Sequence, residues 1–184
     1  MSTSPKLQDL SLDGCSLSDS LGANVMVSWF TQNRGVLSLE DNMLSGQLFS
    51  LILSDKEYDE TLEIKEPLIC QKVSLSRNKL VDLGPDFGKV LKLKHVRVCS
   101  LDLSGNSLDK RALVYLREFL ETTSDDLAFE QLNLTNNNLS LLKSASILEM
   151  RQRGSLFLTV VTYTKEQPKK IKKQIKKKSK KLEK

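Results

Sequence analysis

The chain has 184 residues, a net charge of +5 and a hydrophobic content of 39%, enough for one domain with a buried core. No apolar run reaches the ~18 residues that a spanning helix needs. The opening MSTSPKLQDL has no basic stretch followed by an apolar one, so no secretory leader is expected. The overall charge conceals a division. Residues 165–184 hold 11 Lys and 2 Glu, a net of +9, whereas residues 1–164 hold 17 Lys plus Arg and 21 Asp plus Glu, a net of −4.

In chain order, one phrase keeps returning. Leu-x-Leu-x-x-Asn-x-Leu occurs as LSLDGCSL from Leu10, LSLEDNML from Leu37, VSLSRNKL from Val73, LDLSGNSL from Leu101 and LNLTNNNL from Leu132. The alternation of apolar residues predicts a short strand with one buried face. Extended leftward, the apolar positions are Leu7, Leu10, Leu12 and Leu17 in the first copy, and Leu37, Leu39 and Leu44 in the second, where Arg34 replaces the leading apolar residue. They are Cys70, Val73, Leu75 and Leu80 in the third, Val98, Leu101, Leu103 and Leu108 in the fourth, and Phe129, Leu132, Leu134 and Leu139 in the fifth. Cys15, Asn42, Asn78, Asn106 and Asn137 occupy the turn position. An Asn amide both donates and accepts, so a column of them can satisfy backbone groups between stacked units.

Between the phrases, residues 18–31 carry Leu21, Val25, Trp29 and Phe30 and read as a helix, with Trp29 packed inside. After the apolar stretch 48–53, the polar run 55–66 reads as an inserted loop or a degenerate repeat. Gly84, Pro85 and Gly88 predict a loop or 3₁₀ turn over 81–93 rather than a full helix. Residues 109–121 place Leu113, Leu116 and Leu120 at helical spacing behind an Asp109 cap. A second such helix is expected over 140–152, capped by Ser140 and stopped by Gly154, and a last strand over 156–163.

A phrase recurring at this interval marks a solenoid, in which each copy is one structural unit. The spacings between Asn-type positions are 27, 36, 28 and 31 residues. Residues 7–163 resemble the leucine-rich repeat family, and repeats this long resemble its ribonuclease-inhibitor-like subclass. The resemblance implies an α/β solenoid of about five to six repeats over residues 1–164, followed by a Lys-rich tail over 165–184. Parallel strands would line a concave face and helices the convex side. It implies no shared activity.

The polar strand positions would then point into the arc. They are Gln8, Asp9, Ser11 and Asp13; Ser38, Glu40 and Asp41; Gln71, Lys72, Ser74, Ser76 and Arg77; Ser100, Asp102 and Ser104; and Glu130, Gln131, Asn133 and Thr135. That face is small, polar and mildly acidic, without the aromatic anchors of a strong hot spot. It suits a solvated surface, or docking of a basic peptide or protein.

The tail is open to nucleic acid, nuclear import or an anionic membrane. Lys169, Lys170, Lys172, Lys173, Lys176, Lys177, Lys178, Lys180 and Lys181 are flexible point charges suited to phosphate oxygens. With no Arg or aromatic residue among them, base reading is not expected. Pro168 could open a helix with Ile171, Ile175 and Leu182 on one face, a stripe too thin for membrane insertion. Lys89, Lys92, Lys94, His95 and Arg97 form a second candidate phosphate patch, or a solvated face.

One histidine supports neither a triad nor a zinc site, and no phosphate loop, GxSxG, CxxC or calcium loop is present. No catalysis, cofactor, metal or small-molecule substrate is expected. Cys15, Cys70 and Cys99 read as reduced, buried thiols of an intracellular protein. The expected function is a non-catalytic scaffold whose solenoid contacts a protein partner. Its tail would anchor it to the phosphate backbone of ribosomal or other structured RNA in a large ribonucleoprotein such as the ribosome. The alternative is a nuclear leucine-rich repeat adaptor that uses the tail for import. The corresponding compartments are the cytoplasm for the first, and the nucleus or nucleolus.

Overall fold

The computed structural model describes residues 7–32, 35–54, 68–93, 96–122, 129–139 and 159–161. Strands β1 (Asp9–Ser11), β2 (Val36–Ser38), β3 (Leu68–Ser74), β4 (Val96–Asp102), β5 (Gln131–Asn133) and β6 (Thr159–Val161) form one all-parallel sheet in chain order. Register aligns the phrases. Leu10, Leu37, Val73, Leu101, Leu132 and Val160 stand in one column across the sheet.

Parallel neighbours need a crossover between them, and helices α1 (Asp19–Gln32), α2 (Gln47–Ser54), α3 (Phe87–Leu93) and α4 (Lys110–Thr122) lie in the crossovers. Each helix packs on the next, and the core fills the space between this row and one face of the sheet. The sheet alternating with helices is compatible with a repeat solenoid.

The phrase leucines build that core. Leu37, Leu39, Leu44, Leu75, Leu80, Leu103, Leu108 and Leu132 are fully buried, each stabilising by about 1.5–3 kcal/mol. Leu10, Leu12 and Leu17 are only half-buried, because no strand is described beyond β1 to cover them. On the helix side Phe49, Phe87, Phe119 and Phe129 are buried in edge-on and tilted contacts, with centroids 5.1 Å apart for Phe49–Phe87, 5.7 Å for Phe87–Phe119 and 5.2 Å for Phe119–Phe129. Such pairs contribute ~0.5–1.5 kcal/mol beyond their burial. Trp29 is buried in α1, as expected, with its indole against the Cys70 thiol.

The caps follow local chemistry. Asp109 Oδ1 accepts the Arg111 N–H at 2.8 Å and opens α4, on which Leu113 and Leu116 are buried and Leu120 half-buried. The apolar stretch 48–53 is the body of α2, with Ser45 Oγ accepting the Gln47 N–H at 3.3 Å.

The expectation of a loop or 3₁₀ turn over 81–93 is corrected in part, because Phe87–Leu93 is an α-helix. Gly84, at φ +67°, and Pro85 punctuate its entry rather than interrupt it. The Val90 N–H then bonds the Asp86 carbonyl at 2.9 Å, and Phe87, Val90 and Leu91 reach the core. Arg34, the run 55–66, the helix over 140–152 with Gly154, and the tail over 165–184 lie outside the described residues. The last strand is described over Thr159–Val161.

Candidate functional site

The turn column is built as the phrase requires. Asn78 accepts the Leu44 N–H at Oδ1 (3.1 Å) and donates through Nδ2 to the carbonyls of Leu39 (2.9 Å), Leu75 (3.1 Å) and Ser76 (3.1 Å). Asn106 does the same with Leu80, Leu75, Leu103 and Ser104, and Asn42 with Leu17, Leu12, Leu39 and Glu40. Asn137 ties Leu108, Leu103, Leu134 and Thr135. Every Asn therefore staples its own phrase to the preceding one. Cys15 is exposed, against the expectation of a buried thiol, because among the described residues no phrase stacks before it.

A backbone feature of the same turn escaped the sequence reading. The residue before each Asn-type position has positive φ: Gly14 (65°), Asp41 (55°), Arg77 (53°), Gly105 (67°) and Asn136 (55°). The Asp41, Arg77 and Gly105 N–H groups bond the next phrase's carbonyls at Ser76, Ser104 and Thr135 (3.0, 2.8 and 2.9 Å). Gly, Asn and Asp in that place were the available signal, since they adopt this conformation most readily. Arg77 carries no such signal.

The sheet face opposite the helices gathers the polar strand positions. Asp13 Oδ1 accepts from Ser38 Oγ (2.7 Å) and the Glu40 N–H (2.8 Å), and Oδ2 accepts from Ser11 Oγ (2.8 Å). Burial opposes the charge of Asp13, but these hydrogen bonds outweigh it and hold the carboxyl below its ordinary 3.8. Glu40 accepts from Ser74 Oγ (2.7 Å) and pairs with Arg77 (2.8 Å). Asn133 Nδ2 donates to Asp102 Oδ2 (3.0 Å), and Arg97 pairs with Glu130 (2.8 Å). Ser74 and Ser76 depart from the expected open, solvated face. They are buried at 1% and 2% exposure, Ser74 through its bond to Glu40.

The described members of the second candidate phosphate patch do not all share one face. Lys89 and Lys92 lie on α3, where Lys89 Nζ bonds Asp86 (3.0 Å) and Lys92 Nζ bonds Thr122 Oγ1, beside a small cleft bordered by Tyr115. Arg97 lies on β4 between buried Val96 and Val98, so alternation turns it to the opposite face. Lys94 and His95 are outside the described residues, as are the nine tail lysines.

Cys70 is buried, and burial pushes its thiol up to about 11. Burial, with Glu130 nearby, also raises Cys99. Neither is an activated nucleophile. Among the described residues no cluster of three or more His, Cys, Asp or Glu could hold a metal ion, and no helix is long and apolar enough to cross a membrane.

No protein-family model matches this sequence, and no curated protein matches it.

Proposed function

We propose that this chain is a leucine-rich repeat protein of the ribonuclease-inhibitor-like type, acting without catalysis as a binding scaffold. Its Lys-rich tail anchors it to RNA phosphates in a large ribonucleoprotein such as the ribosome. The observation that carries this reading is the division of charge, +9 over residues 165–184 against −4 over the rest. The Asn column supports the repeat assignment, because each amide satisfies one backbone donor of the preceding phrase and carbonyls on both.

The described residues support giving the phosphate contacts to the tail. All four arginines among the described residues are engaged by carboxylates: Arg77 by Glu40, Arg97 by Glu130, Arg111 by Asp82 and Asp109, and Arg117 by Glu121. A phosphate would have to displace those partners, whereas lysines bind it through counterion release.

The test is sedimentation of the full chain in cell lysate at low and high salt, with and without ribonuclease. Migration with ribosomal or other large particles, lost on either treatment, is the expected result. Migration as a small RNA-free species would overturn it. Changing the nine lysines of 169–181 to Gln should abolish RNA binding, which otherwise falls with log salt at a slope of up to about −6 for single strands. The polar open face favours a second reading, a nuclear adaptor using the tail for import. Its protein partner would survive the Lys-to-Gln change.

A further inference from the structure

Among the described residues nothing covers the face of the sheet opposite the helices. Its charge is uneven. At the β1–β2 end it carries Asp9, Asp13 and Glu40, with Asp41 exposed in the turn that follows β2. Arg77 pairs with Glu40, and no cation among the described residues pairs with Asp9, Asp13 or Asp41. The serine and backbone donors around Asp13 hold its carboxylate in place without neutralising it, and the Arg77 charge that also acts on it is shared with Glu40, leaving the end acidic.

The same chain carries the complementary charge, and it can reach. β6 ends at Val161, on the opposite edge of the sheet from β1. Five inter-strand steps of about 4.8 Å separate the edges by about 24 Å. Residues 169–181 follow Val161 by 8 to 20 residues, a reach of about 26 to 66 Å at ~3.3 Å per residue. A tether of that length holds the lysines near the face at an effective concentration of order millimolar, above that of other chains in dilute solution.

We propose that the Lys-rich segment 165–184 docks in cis on the acidic β1–β2 end of the open sheet face. The surface is defined by Asp9, Asp13, Glu40 and Asp41, and its ligand is a run of lysine ammonium groups on the same chain. Docking depends only on these charges. Its consequence, that RNA and the face compete for the tail, rests on the function proposed above. Such a contact restrains the tail from non-specific anions and releases it to a strong polyanion.

Carbodiimide cross-linking of the full chain, mapped by peptide mass spectrometry, tests this at 10 mM and 1 M salt and at two protein concentrations tenfold apart. The expected result is amide links from lysines of 169–181 to Asp9, Asp13, Glu40 or Asp41. Their yield should be unchanged by dilution and lost at 1 M salt, where the screening length is ~3 Å. Links spread evenly over all carboxylates, including Glu118 and Glu121 on α4, would overturn the docking surface. Links that vanish on dilution would overturn docking in cis.

Asp9→Asn with Asp41→Asn removes two charges whose side chains make no hydrogen bond among the described residues, and Asn tolerates the positive φ of position 41. Links to Asp13 and Glu40 should fall at least twofold in this variant, and unchanged links would count against the charge argument. A saturating single-stranded RNA oligonucleotide should erase the links. Failure of the oligonucleotide to bind at all would sink the RNA reading while leaving the cross-link map to decide the docking.

Discussion

Replacing Asn78 with Ala tests the turn column at its centre. Asn78 is 9% exposed and makes four hydrogen bonds, but its loss does not orphan four groups. The Leu39 carbonyl keeps Asn42, the Leu75 carbonyl keeps Asn106, and the Ser76 carbonyl keeps the Asp41 N–H. The Leu44 N–H has Asn78 Oδ1 as its acceptor and loses it. One buried unsatisfied donor costs about 1–3 kcal/mol, and the small void left by the amide adds to it, so a loss of about 2–4 kcal/mol is expected. Urea unfolding followed by circular dichroism measures it as a lower midpoint at constant slope. Asn78→Asp sharpens the test. It keeps an acceptor for Leu44 but sets a second oxygen against three carbonyls, so the carboxyl should hold its proton and the variant should gain stability as pH falls from 7 to 5. The exposed Asn138, with one bond of 3.5 Å to the Ser107 carbonyl, is the control. If Asn78→Ala costs no more than Asn138→Ala, the column is not the staple between phrases.

Three further outcomes follow from the packing and turns. Phe87→Ala, in the middle of the four-ring cluster, should cost ~3–5 kcal/mol in the same urea assay, and a cost under about 1 kcal/mol would mean that the cluster collapses around the gap. Gly105→Ala forces a Cβ to within 3.0 Å of Arg77 Cγ at φ +67°; it should cost ~1–2 kcal/mol and weaken the Arg77–Glu40 pair, seen as a smaller salt dependence of stability. Cys70 ionises at about 11 when folded against 9.0 as a free thiol, so the unfolded chain ionises first. Its stabilising contribution is full below pH 9 and is lost as pH rises from 9 through 11, about 2–3 kcal/mol in all. Cys70→Ala should remove that alkaline slope, and a thiol reagent at neutral pH should label exposed Cys15 well before Cys70.

What the sequence made legible was the part set by repetition. The alternation at Leu37 and Leu39, or Leu101 and Leu103, states a strand with one buried face, and aligning the phrases aligns the columns of the sheet. The Asn positions were legible because few side chains both donate and accept in a buried turn. α3 was not, since Gly84 and Pro85 announce a break without saying on which side of it the helix starts. The left-handed residue before each Asn was hidden by Arg77, whose side chain gives no hint of that conformation. At the open face the burial of Ser74 and Ser76 was not legible. Ser74 is covered by Glu40, a partner 34 residues away that no local pattern reveals.

The division of labour between backbone and side chains explains why charge can be segregated so sharply in this chain. The turn amides and the phrase leucines meet most of the polar and apolar demands of stacking, so some residues facing away from the helices carry none of that burden. Asp9 and Asp41 illustrate this, with no side-chain hydrogen bond or ion pair among the described residues. If Asp9 served only solubility, a lysine would do as well in its place, and it would not compete with any folding contact. A lysine there would, however, repel residues 165–184 at a distance the tether allows. Asp9→Lys with Asp41→Asn, which suits the positive φ of position 41, should therefore leave the unfolding free energy within about 0.5 kcal/mol of the parent, the range of surface substitutions, while raising susceptibility of the tail to trypsin at low salt. An unchanged cleavage rate in residues 165–184 would show that the acidic end of the sheet does not sense the tail.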